Sequence, residues 1–460
     1  MGQTLQCISP IDGTVYAERT TLTADAARQA TREARQAQAE WAAIPLQERI
    51  DRVLAGIAAV GNMNDVIVPE LAHMMGRPVR YGGEFGGFEE RGRYMANIAQ
   101  EALADIMVGD APDLKRYIKR VPHGVVLVVA PWNYPYMTAI NSVAPALIAG
   151  NSVLLKHSTQ TLLVGERMAQ AFHTAGVPEA VFQNVFLDHA TTSSLITEQA
   201  FDFVNFTGSV NAGRTLEQAA AGTFTGMALE LGGKDPGYVM EDADLDAAVA
   251  TLIDAAMFNS GQCCCGIERI YVHQRLFDTF VEKAVALVES YRLGNPLEET
   301  TDIGPMANVR FAAEVRSQID EAVSAGATAH ITTKPADDGG AYLTPQILTG
   351  VNHTMRLMRE ESFGPVVGIM PVDDDAEATR LMNDSPFGLT ASLWTSDLSR
   401  AQSIGDQLQT GTIFMNRADY LDPALCWTGC KDTGRGGSLS VIGYHNLTRP
   451  KSYYLKSPAG

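Results

Sequence analysis

A chain of 460 residues is longer than one hydrophobic core usually serves, so two or three structural units are expected. Hydrophobic residues make up 46% and charged residues 19%, which excludes a disordered or fibrous protein. The net charge of −18 repels phosphate backbones and anionic lipid, so neither nucleic acid nor a membrane is an expected partner.

The opening MGQTLQCISP lacks a basic region followed by an apolar core, so it does not read as a secretory signal and a cytoplasmic location is expected. Gln6 stands where myristoylation requires Ser or Thr. Helical patterns follow over Ala24 to Trp41 and Leu46 to Ala59. The apolar stretch from Gly124 to Gly150 is interrupted by Pro131, Asn133, Pro135, Asn141 and Pro145, so it reads as buried core and not as a membrane span. Val125 to Ala130 and Ser152 to Lys156 read as buried strands, Thr161 to Ala175 as a helix, Phe201 to Phe206 as a strand and Asn211 to Ala221 as a helix.

The alternation resumes with strand Gly237 to Met240, helix Asp244 to Phe258, strand Arg269 to His273, and helices Gln274 to Tyr291 and Arg310 to Ala325. Strand Val366 to Met370, helix Asp375 to Asn383 and strands Ala391 to Thr395 and Thr412 to Asn416 complete it. Apolar strands alternating with helices predict two α/β units with parallel sheets covered on both faces.

Three of the six cysteines stand together in FNSGQCCCGIER, residues 258 to 269. Without a secretory signal, metal binding or catalysis is favoured over disulfides. Adjacent cysteines project in different directions, and there is no CxxC pair or matching His spacing, so metal is the weaker reading. Burial as small hydrophobes is the bland alternative. As a locally extended run, Cys263 and Cys265 would face one side and Cys264 the other. Periodicity leaves open which is exposed.

Other segments point to a nucleophile. PWNYP, residues 131 to 135, follows a buried strand, where ligand crevices form in α/β sheets. FTGS, residues 206 to 209, opens a helix and suits a phosphate at its N-terminus. In ELGGK, residues 230 to 234, Glu230 sits beside a glycine pair expected to let substrate approach closely. With LK (155 to 156), EESFGP (360 to 365), NDSPFGL (383 to 389) and, more loosely, WTGCKDTGRG (427 to 436), these segments resemble the aldehyde dehydrogenase superfamily over essentially the whole chain. The 34-residue separation of Glu230 and Cys264 also fits that family.

The resemblance implies an aldehyde dehydrogenase-like α/β fold, with a Rossmann-type NAD(P)-binding domain at 1–109 and 123–232 and a second α/β catalytic domain at 233–432. A small β oligomerisation element at 110–122 and 440–457 would complete a homodimer or homotetramer. It implies that Cys264, fourth in the family's G-Q-x-C pattern, attacks an aldehyde to give a thiohemiacetal. Asn133 and the Cys264 backbone N–H would hold the oxyanion, and Glu230 would activate water to hydrolyse the thioester. No metal is implied.

For NAD or NADP, the resemblance sets Trp132 beside the cofactor, Lys156 on the adenosine ribose, Gly208 and Ser209 on the pyrophosphate, and Glu361 with Phe363 on the nicotinamide ribose. NAD-preferring members carry a glutamate three residues after the lysine; here that residue is Thr159, so NADP is tolerated or preferred. By position, Tyr134, Met137, Asn141, Leu421 and Trp427, with Cys263 and Cys265, line the aldehyde channel. Arg417 and Asp419 lie near it, which suits a polar aldehyde such as a semialdehyde; the bland alternative is that these charges pair with each other or face solvent. The competing functions are a CoA-acylating relative, disfavoured by Glu230, and a catalytically silent nucleotide-binding relative, disfavoured by the joint presence of Cys264, Glu230, Asn133, Lys156 and Glu361.

Overall fold

The computed structural model describes residues 2–109, 113–332 and 340–457; residues 110–112 of the expected oligomerisation element lie outside the described residues. Val125–Ala130 is buried at all six positions. Val126, Val128 and Ala130 point into a core shared with the helices Leu46–Gly61, Pro135–Ala149 and Leu162–Thr174. Val125, Leu127 and Val129 point to the other face, against Ala27, Ala30 and Ala34 of the helix Ala24–Ala43. A period of two on a strand covered on both sides requires this continuous apolar run.

That strand is central in a six-stranded sheet ordered Gly434–Arg435, Gly226–Glu230, Phe203–Thr207, Val125–Ala130, Ser152–His157 and Phe182–Asn184. All its pairings are parallel except that of Gly434–Arg435. A second sheet of seven strands runs Thr328–Ala329, Gln346–Thr349, Val366–Val372, Ile267–His273, Asp235–Val239, Thr390–Trp394 and Thr412–Met415. Only Thr328–Ala329 pairs antiparallel there. The α/β architecture expected from the alternation is present.

A small antiparallel sheet joins Thr448–Lys456, Leu114–Pro122 and Ile106–Met107, so described residues from both segments of the expected oligomerisation element pair with each other. Among the described residues, no helix is long and apolar enough to cross a membrane.

The sequence reading assigned no element to Asn64–Met75 or Phe85–Ala102, yet both are helices. The second contains Gly86, Gly87 and Gly92, which lower local helix propensity. Tertiary packing overrides that cost: a Cβ at Gly87 would stand against the Met137 side chain, and one at Gly92 against Ile57 and Ile140. The glycines let this helix lie close against Pro135–Ala149.

Candidate active site

The C-terminal ends of the first sheet's parallel strands open onto a cavity of about 1050 Å³ that also reaches the second unit through Cys264 and Glu361. Ligand crevices form at this edge of open α/β sheets because the strand ends turn away to their helices there. Every site residue singled out from the sequence lines this one cavity.

The cysteine run follows a short turn, Phe258–Gly261, in which Asn259 and Ser260 have φ of 56° and 57°. Asn tolerates this left-handed backbone better than most residues. The turn is locked by Ser260 Oγ donating to the Gly304 carbonyl (2.8 Å) and by the Ala307 N–H donating to Gln262 Oε1 (2.8 Å). Beyond it the backbone is not extended, as the sequence reading supposed. It turns again, with the Gly266 N–H donating to the Cys263 carbonyl (3.2 Å).

Cys263 and Cys265 are buried and still share one side, their sulfurs 3.5 Å apart, while Cys264 is half-buried. The turn also corrects the expectation that the three side chains diverge, since all three sulfurs lie within 4.8 Å of one another. Hydrogen bonding from the Cys263 and Cys265 thiols, with the nearby Arg91 guanidinium, holds the Cys264 thiol well below the usual range against the opposing effect of burial. Each outer thiol has a single proton, which it can give to the Cys264 sulfur or to Asp419 Oδ1, 3.0 Å from Cys263 and 2.9 Å from Cys265.

Asn133 is buried just past strand Val125–Ala130. Its carbonyl accepts from Arg77 Nη2 (2.6 Å) and Asn259 Nδ2 (3.2 Å), which ties this loop to the turn before the cysteines. Arg77 is itself fixed by Glu84 at 2.6 Å. Among the described residues, no protein group takes the Asn133 side-chain amide, which is left to the cavity.

Glu230 ends its strand and accepts from Ser438 Oγ (2.6 Å) and Thr207 Oγ1 (3.3 Å). Burial raises its carboxyl to about 7, partly offset by the Ser438 and Thr207 hydroxyls. The adjoining glycines serve a different purpose from the one expected. A Cβ at Gly232 would stand 2.5 Å from Glu361 Oε2, and one at Gly233 would strike the Cys264 carbonyl. The pair therefore makes room for the protein's own Glu361 and the Cys264 backbone, not for substrate. The Gly233 N–H donates to Glu361 Oε1 at 2.9 Å, and burial pushes the Glu361 carboxyl up to about 8.

At the other end of the cavity stand Lys156, Ser158, Thr159 and Gln160, with Gly208 and Ser209 beside them. Lys156 is buried and, among the described residues, has no hydrogen bond or ion pair; burial lowers its pKa. Ser209 caps the helix Val210–Ala220, its Oγ accepting from the Ala212 N–H at 3.3 Å. A dinucleotide phosphate fits there, between a cation that no protein anion touches at hydrogen-bond range among the described residues and a helix N-terminus. Trp132 stacks on Phe311 at 5.3 Å and meets the edge of Phe363 at 5.4 Å.

Tyr134, Met137, Asn141, Leu421 and Trp427, expected from the resemblance to line a substrate channel, line the same cavity as the three cysteines. Arg417 and Asp419 do not pair with each other: Arg417 lies 3.8 Å over the Tyr420 ring, and Asp419 turns to the thiols with φ 49°. The sequence reading missed Arg77, Arg91, Phe311 and Ser438, whose relation to the site arises only through tertiary contacts. Arg91 lines the cavity, donates from Nη1 to the Met137 carbonyl (3.1 Å), and leaves Nε buried without a partner.

The sequence matches the profile of the Aldehyde dehydrogenase family over residues 1–453. It is 35% identical over 367 residues to the succinate-semialdehyde dehydrogenase [NADP(+)] of Mycobacterium avium (strain 104), covering 79% of this chain and 78% of that one. Among solved structures, PnpE in complex with nicotinamide adenine dinucleotide superposes with a TM-score of 0.95 at 28% identity, covering 100% of this chain and 95% of that one. The NADP-dependent glyceraldehyde-3-phosphate dehydrogenase of Bacillus halodurans C-125, complexed with NADP, superposes at 0.93 with 31% identity, covering 99% and 96%.

Proposed function

This chain belongs to the aldehyde dehydrogenase family, and on that premise we propose how its residues divide the NAD(P)-dependent oxidation of an aldehyde to an acid. The observation that carries the proposal is the joint presence, in one cavity, of a thiol held below its usual range, a carboxyl raised to about 7 and an amide without a protein partner. The Cys264 thiolate attacks the aldehyde carbon. The Asn133 amide and the Cys264 N–H stabilise the resulting oxyanion. The bound nicotinamide supplies the acceptor for the hydride. Glu230, whose ionised fraction grows as pH rises through about 7, then takes a proton from the water that hydrolyses the thioester.

Lys156, Thr159, Gly208 and Ser209 hold the adenosine and phosphate end, and Trp132, Glu361 and Phe363 the nicotinamide end. NADP is favoured because Lys156 has no anion at hydrogen-bond range among the described residues and Thr159 adds no negative charge. For the aldehyde we propose a semialdehyde. Its carboxylate would meet Arg91, whose buried Nε has no partner among the described residues, whereas Glu90 stands at an exposed position where water screens it. The name of the M. avium relative points the same way. Residues 1–109 and 123–232 would bind the cofactor and 233–432 the nucleophile. Residues 110–122 and 440–457 would pair subunits in a cytoplasmic homodimer or homotetramer.

Formation of reduced nicotinamide with a panel of aldehydes, in NAD and NADP and with or without coenzyme A, tests this reading. Cys264→Ser should abolish oxidation. Asn133→Ala should lower turnover by about 10²–10³ while cofactor binding persists. Equal loss in Cys265→Ser beside an active Cys264→Ser would reject the nucleophile, and a strict requirement for coenzyme A would reject hydrolysis.

A further inference from the structure

One thiolate suffices as a nucleophile, yet the fold gathers three sulfurs and a carboxylate. We propose that Cys263, Cys264, Cys265 and Asp419 form a Zn²⁺ site, and that the ion, once bound, switches the enzyme off. The three sulfurs already lie within 4.8 Å of one another, with Cys263 and Cys265 at 3.5 Å. Tetrahedral zinc, with Zn–S bonds of about 2.3 Å, sets its sulfurs about 3.8 Å apart. Asp419 Oδ1 is in contact with both outer thiols at 3.0 and 2.9 Å, and a shift of its carboxylate toward Cys264 would bring it to the fourth position.

The donor set selects the metal. Three sulfurs with one oxygen suit a borderline-soft ion and are poor ligands for Mg²⁺ or Ca²⁺, which require oxygen. Three thiolates and a carboxylate around Zn²⁺ leave two negative charges. The buried Arg91, which interacts electrostatically with Cys264, Cys265 and Asp419, offsets one of them. Each thiol loses its proton to solvent as its sulfur binds, and no electron is transferred, so a chelator and protons reverse the reaction. A zinc-bound Cys264 sulfur no longer has the lone pair free for attack, and the ion occupies space the aldehyde needs. This shut-off rests on Cys264 being the nucleophile; the metal site itself does not.

Cobalt titration of the full-length protein, previously treated with chelator and reductant, reads the site through its sulfur-to-cobalt charge-transfer absorption without any turnover. One ion per chain is expected, displaced by Zn²⁺. Cys263→Ser, Cys264→Ser and Cys265→Ser should each weaken binding about tenfold or more, and Asp419→Asn by less. Whatever activity Cys263→Ser and Cys265→Ser retain should resist Zn²⁺ concentrations that silence the unmodified enzyme. Should a variant fail to fold, X-ray absorption of the zinc-loaded unmodified protein still decides, with three sulfurs and one oxygen expected around the ion. A full cobalt band in Cys264→Ser, unchanged zinc sensitivity in Cys265→Ser, or a shell without sulfur would overturn the proposal. A normal cobalt band in a protein that oxidises no aldehyde would uphold the site and reject the nucleophile reading.

Discussion

Two lysines buried in this molecule stand in opposite electrical situations. Lys234 is 1% exposed and donates to Glu268 Oε2 at 2.5 Å and to Ser362 Oγ at 3.0 Å. Lys156 is 7% exposed and, among the described residues, meets no anion at hydrogen-bond range. Burial lowers the pKa of both. The difference lies in where the compensating charge comes from. For Lys234 the chain supplies it, and the pair does structural work: Glu268 also accepts from the backbone N–H groups of Ser362 and Phe363, each at 2.8 Å. These bonds hold the turn at Phe363, with φ 51°, next to Glu361. For Lys156 only the more distant Asp188 acts on the charge, and a contacting anion has to arrive with a ligand.

The largest test of that contrast is Lys234→Met. Removing one partner of a buried pair leaves the other charge uncompensated, and such changes cost about 3–5 kcal/mol. Urea denaturation should therefore show a large loss of stability for Lys234→Met and almost none for Lys156→Met. Equal losses would mean that Lys156 has a structural partner after all. Lys156→Met should instead appear in binding. A hydrogen bond to a charged group is worth about 1.5–3 kcal/mol, so NADP affinity should fall roughly 10- to 100-fold. Isothermal titration with NADP measures it, and an unchanged dissociation constant would remove Lys156 from the cofactor site.

The same contrast marks what the sequence made legible. Lys156 ends an apolar strand run, so its place at a strand end, and hence at a crevice, follows from local pattern alone. Glu230, Asn133 and the Ser209 helix start were legible for the same reason. Lys234 looked like part of a glycine-rich substrate loop because its partner is 34 residues away on another strand, and no local signal marks the pairing. Arg77 and Arg91 escaped similarly, since they sit on or before a glycine-containing stretch whose helix is secured by Met137 and Ile57. The divergence expected of three successive cysteines failed because Asn259 and Ser260 start a left-handed turn that an extended-strand argument does not contain.

The finest test changes the surroundings of Lys156 and leaves the lysine in place. Thr159 lies three residues beyond it, at the start of Thr159–Thr161, and lines the same end of the cavity. Thr159→Glu supplies the anion that Lys156 lacks. Two like charges about 4 Å apart repel by about 1 kcal/mol in water and about 4 kcal/mol near a protein surface. The new carboxylate should therefore weaken NADP by about fivefold or more, whereas NAD, which has no 2′-phosphate, should bind as before or more tightly. Because the glutamate also engages Lys156, the two substitutions share one interaction and their effects on NADP should not add. The ratio of kcat/KM values for the two cofactors, across both single variants and the double variant, reads this directly. Additive losses, or equal weakening of NAD and NADP by Thr159→Glu, would separate Thr159 from the 2′-phosphate and leave Lys156 to act alone.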